Sequence, residues 1–143
     1  MIKIICVGKL KEKYLKDAES EYLKRLTKYT KINLIELKDS NINDEKDEIL
    51  KHIDKDYIIT LEIEGKNLDS VELANHIDKT LINNSNICFI IGGSTGLHED
   101  IKKLSNFKLS FSRLTFPHQL FRIMLLEQIY RSFKILNNET YHK

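Results

Sequence analysis

The run Ile87-Cys88-Phe89-Ile90-Ile91 has no polar side chain, and Ile2–Val7 is nearly as apolar and rich in β-branched residues. Successive residues of a strand point to opposite faces, so a strand apolar throughout must be covered on both sides. Parallel sheets meet that demand, because their crossover helices pack on both faces. Between the strand signals lie helical ones. Leu15, Ala18, Tyr22, Leu26 and Tyr29 recur at three- and four-residue steps, which predicts an amphipathic helix over Leu10–Tyr29. Lys31–Leu37 reads as a second strand, and the polar stretch Asp39–Lys55 as a loop entering a short helix over Asp44–Ile53. Tyr57–Ile63 is a third strand, closed by Glu64-Gly65-Lys66. Asp69 or Ser70 caps a helix whose apolar face is Val71, Leu73, Ala74, Ile77 and Leu81. After the strand Ile87–Ile91 come a short helix near Leu97–Leu104, a strand near Lys108–Ser110 and a helix from Pro117 to about Leu136. Pro117 suits the first helical position because its ring presets φ and its missing N–H is not needed there. The expected fold is α/β, a mostly parallel sheet with helices on both faces.

At 143 residues with 41% apolar and 31% charged side chains, the chain is sized for one domain, 1–143, with a real core. Five Gly and one Pro exclude a fibrous or disordered polymer. No apolar run approaches the ~20 residues that span a bilayer. The N-terminus enters a strand without a small-residue cleavage site, so no signal peptide is expected and the expected compartment is the cytoplasm. Cys6 and Cys88 sit inside apolar runs and read as small buried hydrophobes.

The last helix is unusual. Leu120, Phe121, Ile123, Met124, Leu125, Leu126, Ile129, Tyr130, Phe133, Ile135 and Leu136 cover nearly its whole circumference. A helix apolar on all sides must be buried on all sides. A second molecule is the economical source of the missing contacts, which predicts a homodimer; wrapping by other segments of the same chain is the alternative. Charge is segregated too. Residues 1–31 carry nine Lys/Arg against four acids, residues 101–143 eight against two, and the middle of the chain is acidic. If the two ends meet in space, they form a positive face suited to a polyanion.

Two segments could carry chemistry. Gly92-Gly93-Ser94-Thr95-Gly96 lies between a strand and a helix start, where backbone amides can approach a ligand and where open α/β sheets bind ligands. It matches neither the dinucleotide fingerprint nor a phosphate-binding loop, so a tight turn explains it as well as a cofactor loop does. Leu109-Ser110-Phe111-Ser112-Arg113-Leu114-Thr115-Phe116-Pro117-His118 mixes apolar and hydroxyl groups that could hold an aromatic base and a polar sugar, with His118 placed to orient a substrate. The tail Tyr141-His142-Lys143 is either a fraying end or an arm reaching into a site. His52, His76, His98, His118 and His142 have no metal-ligand spacing, and no nucleophile elbow is present. No metal site is expected, and hydrolase chemistry lacks its constellation.

Several segments, in order, resemble one family closely. They are Ile4-Ile5-Cys6-Val7-Gly8-Lys9-Leu10-Lys11-Glu12-Lys13-Tyr14, Ile59-Thr60-Leu61-Glu62-Ile63-Glu64-Gly65-Lys66, Phe89 to Leu97, and the block from Leu109 to Lys143 with Thr115-Phe116-Pro117-His118-Gln119, Leu126-Glu127-Gln128-Ile129-Tyr130-Arg131 and Tyr141-His142-Lys143. The family is that of the small bacterial SPOUT methyltransferases of the RlmH type, which methylate N3 of a pseudouridine in 23S rRNA. The resemblance implies a C-terminal trefoil knot, an exception to the rule that chains do not thread loops, and a homodimer that binds S-adenosylmethionine. By position it implies cofactor contacts at Leu61, Gly92, Phe111, Ser112, Arg113, Leu114, Thr115 and Phe116. It places the catalytic residues His118, Tyr141, His142 and Lys143 near the target base, with the partner subunit completing the site. The implied partner is 23S rRNA within the ribosome, assembled 70S particles being the expected substrate; no membrane is involved. A valine at Gly92 is expected to fill the space beside the ligand. Two departures stand out: residues 39–56 are short for the family, and Asn138-Glu139-Thr140 replaces the Gly-Glu-Pro or similar that commonly precedes the terminal Tyr-His.

The chemistry so implied is methyl transfer to an imide nitrogen after loss of its proton, which requires alignment and a base but neither a metal nor a covalent enzyme intermediate. His118 or His142 could take the proton, and Tyr141 or Lys143 could stabilise the anion. Two readings compete: a ribosome- or RNA-binding module without cofactor affinity, and a nucleotide-binding regulatory dimer.

Overall fold

The computed structural model describes residues 1–143. Its elements are β1 (Ile2–Val7), α1 (Lys13–Leu26), β2 (Ile32–Leu37), α2 (Ile42–His52), β3 (Tyr57–Asn67), α3 (Ser70–Asn83), β4 (Ile87–Ile91), α4 (Glu99–Leu104), β5 (Phe107–Ser110) and α5 (His118–Leu136). The five strands pair in the order β2-β1-β4-β3-β5 and every pairing is parallel. All their C-terminal ends therefore meet at one edge.

The apolar runs are covered on both faces. Ile2, Ile4, Cys6, Ile87, Phe89 and Ile91 pack with residues of α1, α3 and α5, including Leu26, Leu73, Ile77, Leu126 and Ile129. The alternate residues Ile5, Val7, Cys88 and Ile90 pack with Ile49 of α2 and Ile101 of α4. Full burial of such a side chain stabilises by about 1.5–3 kcal/mol. Burial also pushes the Cys6 and Cys88 thiols up to about 12, so both are unreactive members of the core. No helix is long and apolar enough to cross a membrane.

Helix ends follow local chemistry. The Asp69 carboxylate accepts from Glu72 N–H while the Glu72 side chain accepts from Asp69 N–H, a reciprocal cap for α3. Asn41 caps α2 and the ring of His98 caps α4, each accepting from a backbone N–H at 2.9 Å. Pro117 lies one residue outside α5, as its N-cap with an extended ψ of 129°, instead of at the first helical position. Val71 also departs from expectation. It is 43% exposed, because the face of α3 that meets the core runs through Leu73, Ala74 and Ile77.

The third strand does not end at Ile63. It continues to Asn67 through an irregularity in which both Leu61 and Lys66 stand opposite Leu109 of β5. The intervening residues are looped out as a bulge. Gly65 permits the closure, since a Cβ there would lie 2.7 Å from the backbone of Lys108.

Helix α5 lies between α1 and α3 on one face of the sheet, and the chain itself buries Leu125, Leu126, Ile129 and Phe133. Arg122 and Ser132 are buried in it as well. The side away from the sheet stays partly open along Leu120 (40% exposed), Met124 and Ile135. Past its end, Asn138 takes φ 54°, Asn138 N–H donates to Ile135 O at 3.1 Å, and Glu139 N–H donates to Lys134 O at 3.0 Å. This is a Schellman turn, in which Asn supplies the left-handed residue that Gly usually provides. The replacement at 138–140 thus leaves a well-formed turn.

Candidate active site

Three segments at the C-terminal edge of the sheet enclose a cavity of about 330 Å³. They are the bulge of β3 (Leu61 to Glu64), the turn after β4 (Ile91 to Gly96) and the loop from Leu109 to Phe116, with Lys102, His118 and Phe121 completing the wall. One wall is aromatic: the Phe111 and Phe121 rings lie 4.8 Å apart and the Phe116 and Phe121 rings 6.2 Å apart. Glu62 and Glu64 also line the cavity. Glu62 is steadied by the Thr60 hydroxyl, which donates to it at 2.6 Å. An apolar slot with a few convergent polar groups has the form of a small-molecule site.

The loop holds its own shape. Asn67 donates to Ser110 O at 3.0 Å, the Ser110 hydroxyl donates to Ser112 O, and Ser112 Oγ accepts from Leu114 N–H at 3.0 Å. Ser112 thereby works as a turn former, in addition to lining the cavity. Gly92 is required for closure of its turn. A Cβ there would meet the carbonyl carbon of Gly96 at 2.7 Å and its oxygen at 2.8 Å, backbone atoms that cannot move aside. The Gly96 carbonyl is therefore by itself a structural reason for glycine at this position.

Of the residues singled out from the sequence, Leu61, Gly92, Phe111, Ser112, Leu114, Thr115, Phe116 and His118 share this one cavity. Arg113 is exposed and does not line it. Tyr141 and His142 are elsewhere in the same chain, against the second half of α5, and the exposed Lys143 follows them. The Tyr141 hydroxyl donates to Glu127 at 3.2 Å, its ring meets Tyr130 edge-on at 5.1 Å, and Arg131 lies over it at 4.7 Å. Burial, and then the Glu127 carboxylate, push the Tyr141 phenol up. Arg131 also contacts the His142 ring at 3.2 Å. Tyr141 meets α5 at Glu127, six residues or about 9 Å of helix beyond Phe121, and His142 meets it at Arg131, ten residues or about 15 Å beyond, so the tail does not line its own chain's cavity. Glu139 anchors the tail by accepting from Tyr29 at 2.7 Å and Lys134 at 2.9 Å, which holds its carboxyl down at about 2.

Glu62, Lys102 and Phe121 also line the cavity, although the sequence did not single them out. Glu62 depends on a bulge that strand periodicity does not reveal. Lys102 and Phe121 read as ordinary positions on α4 and α5.

Comparison with known proteins agrees with this architecture. A Haemophilus influenzae protein described as a probable methylase family member superposes with TM-score 0.61, covering 99% of this chain and 70% of the other at 11% identity. A tRNA methyltransferase from Aquifex aeolicus gives 0.54, covering 91% and 69% at 15% identity. At such identities the likeness concerns the fold. Two Clostridium botulinum proteins named ribosomal RNA large subunit methyltransferase H are 55% and 52% identical over 157 aligned positions, covering 99% of this chain and 99% of each relative. The family model described as "Predicted SPOUT methyltransferase" matches residues 1–142. With the match spanning nearly the whole chain, the protein belongs to the SPOUT methyltransferase family.

Proposed function

We propose that residues 1–143 form a single methyltransferase domain that uses S-adenosylmethionine to methylate N3 of a pseudouridine in 23S rRNA, on assembled 70S ribosomes in the cytoplasm. The cavity at the sheet's C-terminal edge is the observation that carries this reading. Its residues suit the cofactor: Phe111, Phe116 and Phe121 offer a slot for a purine, and Glu62 and Glu64 offer carboxylates to a cationic ligand bearing hydroxyls. Leu61, Gly92 and the loop Phe111 to Phe116 would hold it. When bound, S-adenosylmethionine supplies a methyl group already activated on a sulfonium.

The chain's part is to orient the base, exclude water and move a proton. Positioning alone can contribute up to ~7–11 kcal/mol. His118, at the cavity wall, takes up the N3 proton, an effect of roughly 10²–10⁴-fold for a well-placed base. Threading of the chain that carries the cavity loop and α5 into a trefoil knot belongs to the same reading.

The active form is a homodimer. The separation of tail from cavity, about 9–15 Å along α5, together with the open stripe Leu120, Met124 and Ile135, supports antiparallel pairing of α5 with its copy. A twofold axis near the middle of the helix would bring one chain's Tyr141, His142 and Lys143 towards the other's cavity, where Tyr141 and Lys143 face the anionic base.

The test is transfer of a labelled methyl from S-adenosylmethionine into 70S ribosomes lacking the modification, with separated subunits and free rRNA in parallel. Label at N3 of a 23S pseudouridine, strongest on 70S particles, is expected. No label in any substrate, from protein that binds S-adenosylmethionine, would refute the acceptor; loss of cofactor binding as well would return the chain to an RNA-binding module.

A further inference from the structure

The segment Lys9-Leu10-Lys11-Glu12-Lys13-Tyr14 leaves the end of β1, on the same sheet edge as the cavity. Its backbone is pinned at its start and in its middle. Gly8 N–H donates to Leu37 O at 2.8 Å, and Gly8 O accepts from the buried Arg122 guanidinium at 2.8 Å. Lys11 N–H donates to Gln119 Oε1 at 3.0 Å. Leu10 is buried with Leu15 and Ile123. Both Arg122 and Gln119 belong to the first turns of α5, the helix that begins with His118. A Cβ on Gly8 would lie 3.1 Å from His118 Nε2, so the loop abuts the rim of the cavity.

Three side chains of this segment, which runs into the first turn of α1, are free. Lys9 and Lys11 are exposed and form no ion pair, whereas Lys13 is engaged by Asp17 at 2.8 Å. Tyr14 is 68% exposed, the one aromatic among the exposed large apolar side chains. The acidic groups nearby are Glu12 on the loop itself and Asp39, 3.7 Å from the same Gly8 Cβ position. Unpaired cations beside an open aromatic ring, displayed from rigid backbone, match the chemistry of an unstacked nucleotide strand: phosphates for the ammonium groups, a base face for the ring.

We propose that Lys9, Lys11 and Tyr14 form a docking surface for the RNA strand flanking the target nucleotide, with the two lysines on its phosphates and Tyr14 beneath an unpaired base. The surface rests on the rRNA methyltransferase reading above. It explains how the cavity, whose own wall carries two carboxylates, is presented to a polyanion: attraction comes from an adjacent rigid loop and not from the reaction chamber.

The experiment compares full-length wild type, K9Q/K11Q, Tyr14→Ala and Tyr14→Phe with a control pair, K31Q/K79Q. The control lysines are also exposed and unpaired; Lys31 immediately precedes β2 and Lys79 lies on α3. S-adenosylmethionine affinity and far-UV circular dichroism confirm that each variant is folded with its cavity intact. Binding to ribosomes lacking the modification is then measured across salt concentrations, with kcat and KM for transfer. K9Q/K11Q should lower the slope of log affinity against log salt by about 1.4, at ~0.7 per single-strand phosphate contact, and raise KM while kcat at saturation is kept. Tyr14→Ala should bind roughly tenfold more weakly with the slope unchanged, and Tyr14→Phe should behave as wild type. A wild-type slope in K9Q/K11Q, an equal loss in K31Q/K79Q, or equal losses in Tyr14→Ala and Tyr14→Phe would overturn the proposal. Wild type that neither binds nor methylates ribosomes would instead overturn the parent reading, and the docking surface with it.

Discussion

Replacing Arg122 with Met keeps much of the side chain's length and deletes its charge. The Arg122 side chain is 3% exposed at the junction of α1, β2, the Gly8 loop and α5. Its Nη1 donates to Glu19 at 3.0 Å and Glu36 at 2.7 Å, and its Nη2 to Gly8 O at 2.8 Å; Nε is buried without a partner. Charge-assisted bonds contribute about 1.5–3 kcal/mol each, but burying the guanidinium offsets much of that. The measured loss is therefore expected to be that of breaking a buried pair, about 3–5 kcal/mol. The lower end applies, because the Glu36 and Glu19 side chains keep 36% and 18% exposure and water can reach them once the cation is gone. Adding Glu19→Gln and Glu36→Gln to Arg122→Met removes the stranded charges and should recover about half the loss. Urea unfolding followed by far-UV circular dichroism at one fixed protein concentration measures this, since association would make stability concentration-dependent. A loss below about 1 kcal/mol for Arg122→Met, or a triple variant no more stable than the single one, would refute the reasoning.

Gly92→Ala should cost about 1–3 kcal/mol, because its Cβ meets the Gly96 carbonyl at 2.7 Å; calorimetric titration should show S-adenosylmethionine affinity at least tenfold weaker, and wild-type affinity would count against the turn's role. Deleting Tyr141 to Lys143 should abolish methyl transfer while leaving S-adenosylmethionine affinity intact; retained transfer would remove the tail from the reaction. Glu139 titrates near 2 in the folded chain against an ordinary 4.5, so its anchoring contributes fully above pH 4.5 and is lost as pH falls through about 2. Protection factors of the tail amides, the intrinsic exchange rate at each pH divided by the observed one, should fall over that window in wild type, and Glu139→Gln should already show low protection at pH 7; a variant as protected as wild type would dismiss the anchor.

Much of the fold was legible because its signals are local. Apolar content at every position of β4, and at every position of β1 but Lys3, required cover on both faces, and a cap at Asp69 or Ser70 marked the start of α3 within the chain itself. The turn and loop that line the cavity were legible as well, since Gly92 and the segment Phe111 to Phe116 combine unusual composition with a place between a strand and a helix. Other features depend on residues far apart in sequence. The order β2-β1-β4-β3-β5 arises from pairings across up to 85 residues (Ile2 with Ile87). The bulge that adds Glu62 to the cavity exists because Leu61 and Lys66 share one partner on β5. The circumference of α5 reads as uniformly apolar, yet packing sorts it into a buried side against α1, α3 and the sheet and an open stripe at Leu120, Met124 and Ile135. Periodicity specifies which residues avoid water. Only tertiary contact decides which neighbours they avoid it with, because that choice balances burial, register and ion pairing over the whole chain at once. The same balance sets His118 at the cavity and the Tyr141 tail against Glu127 and Arg131, farther along α5.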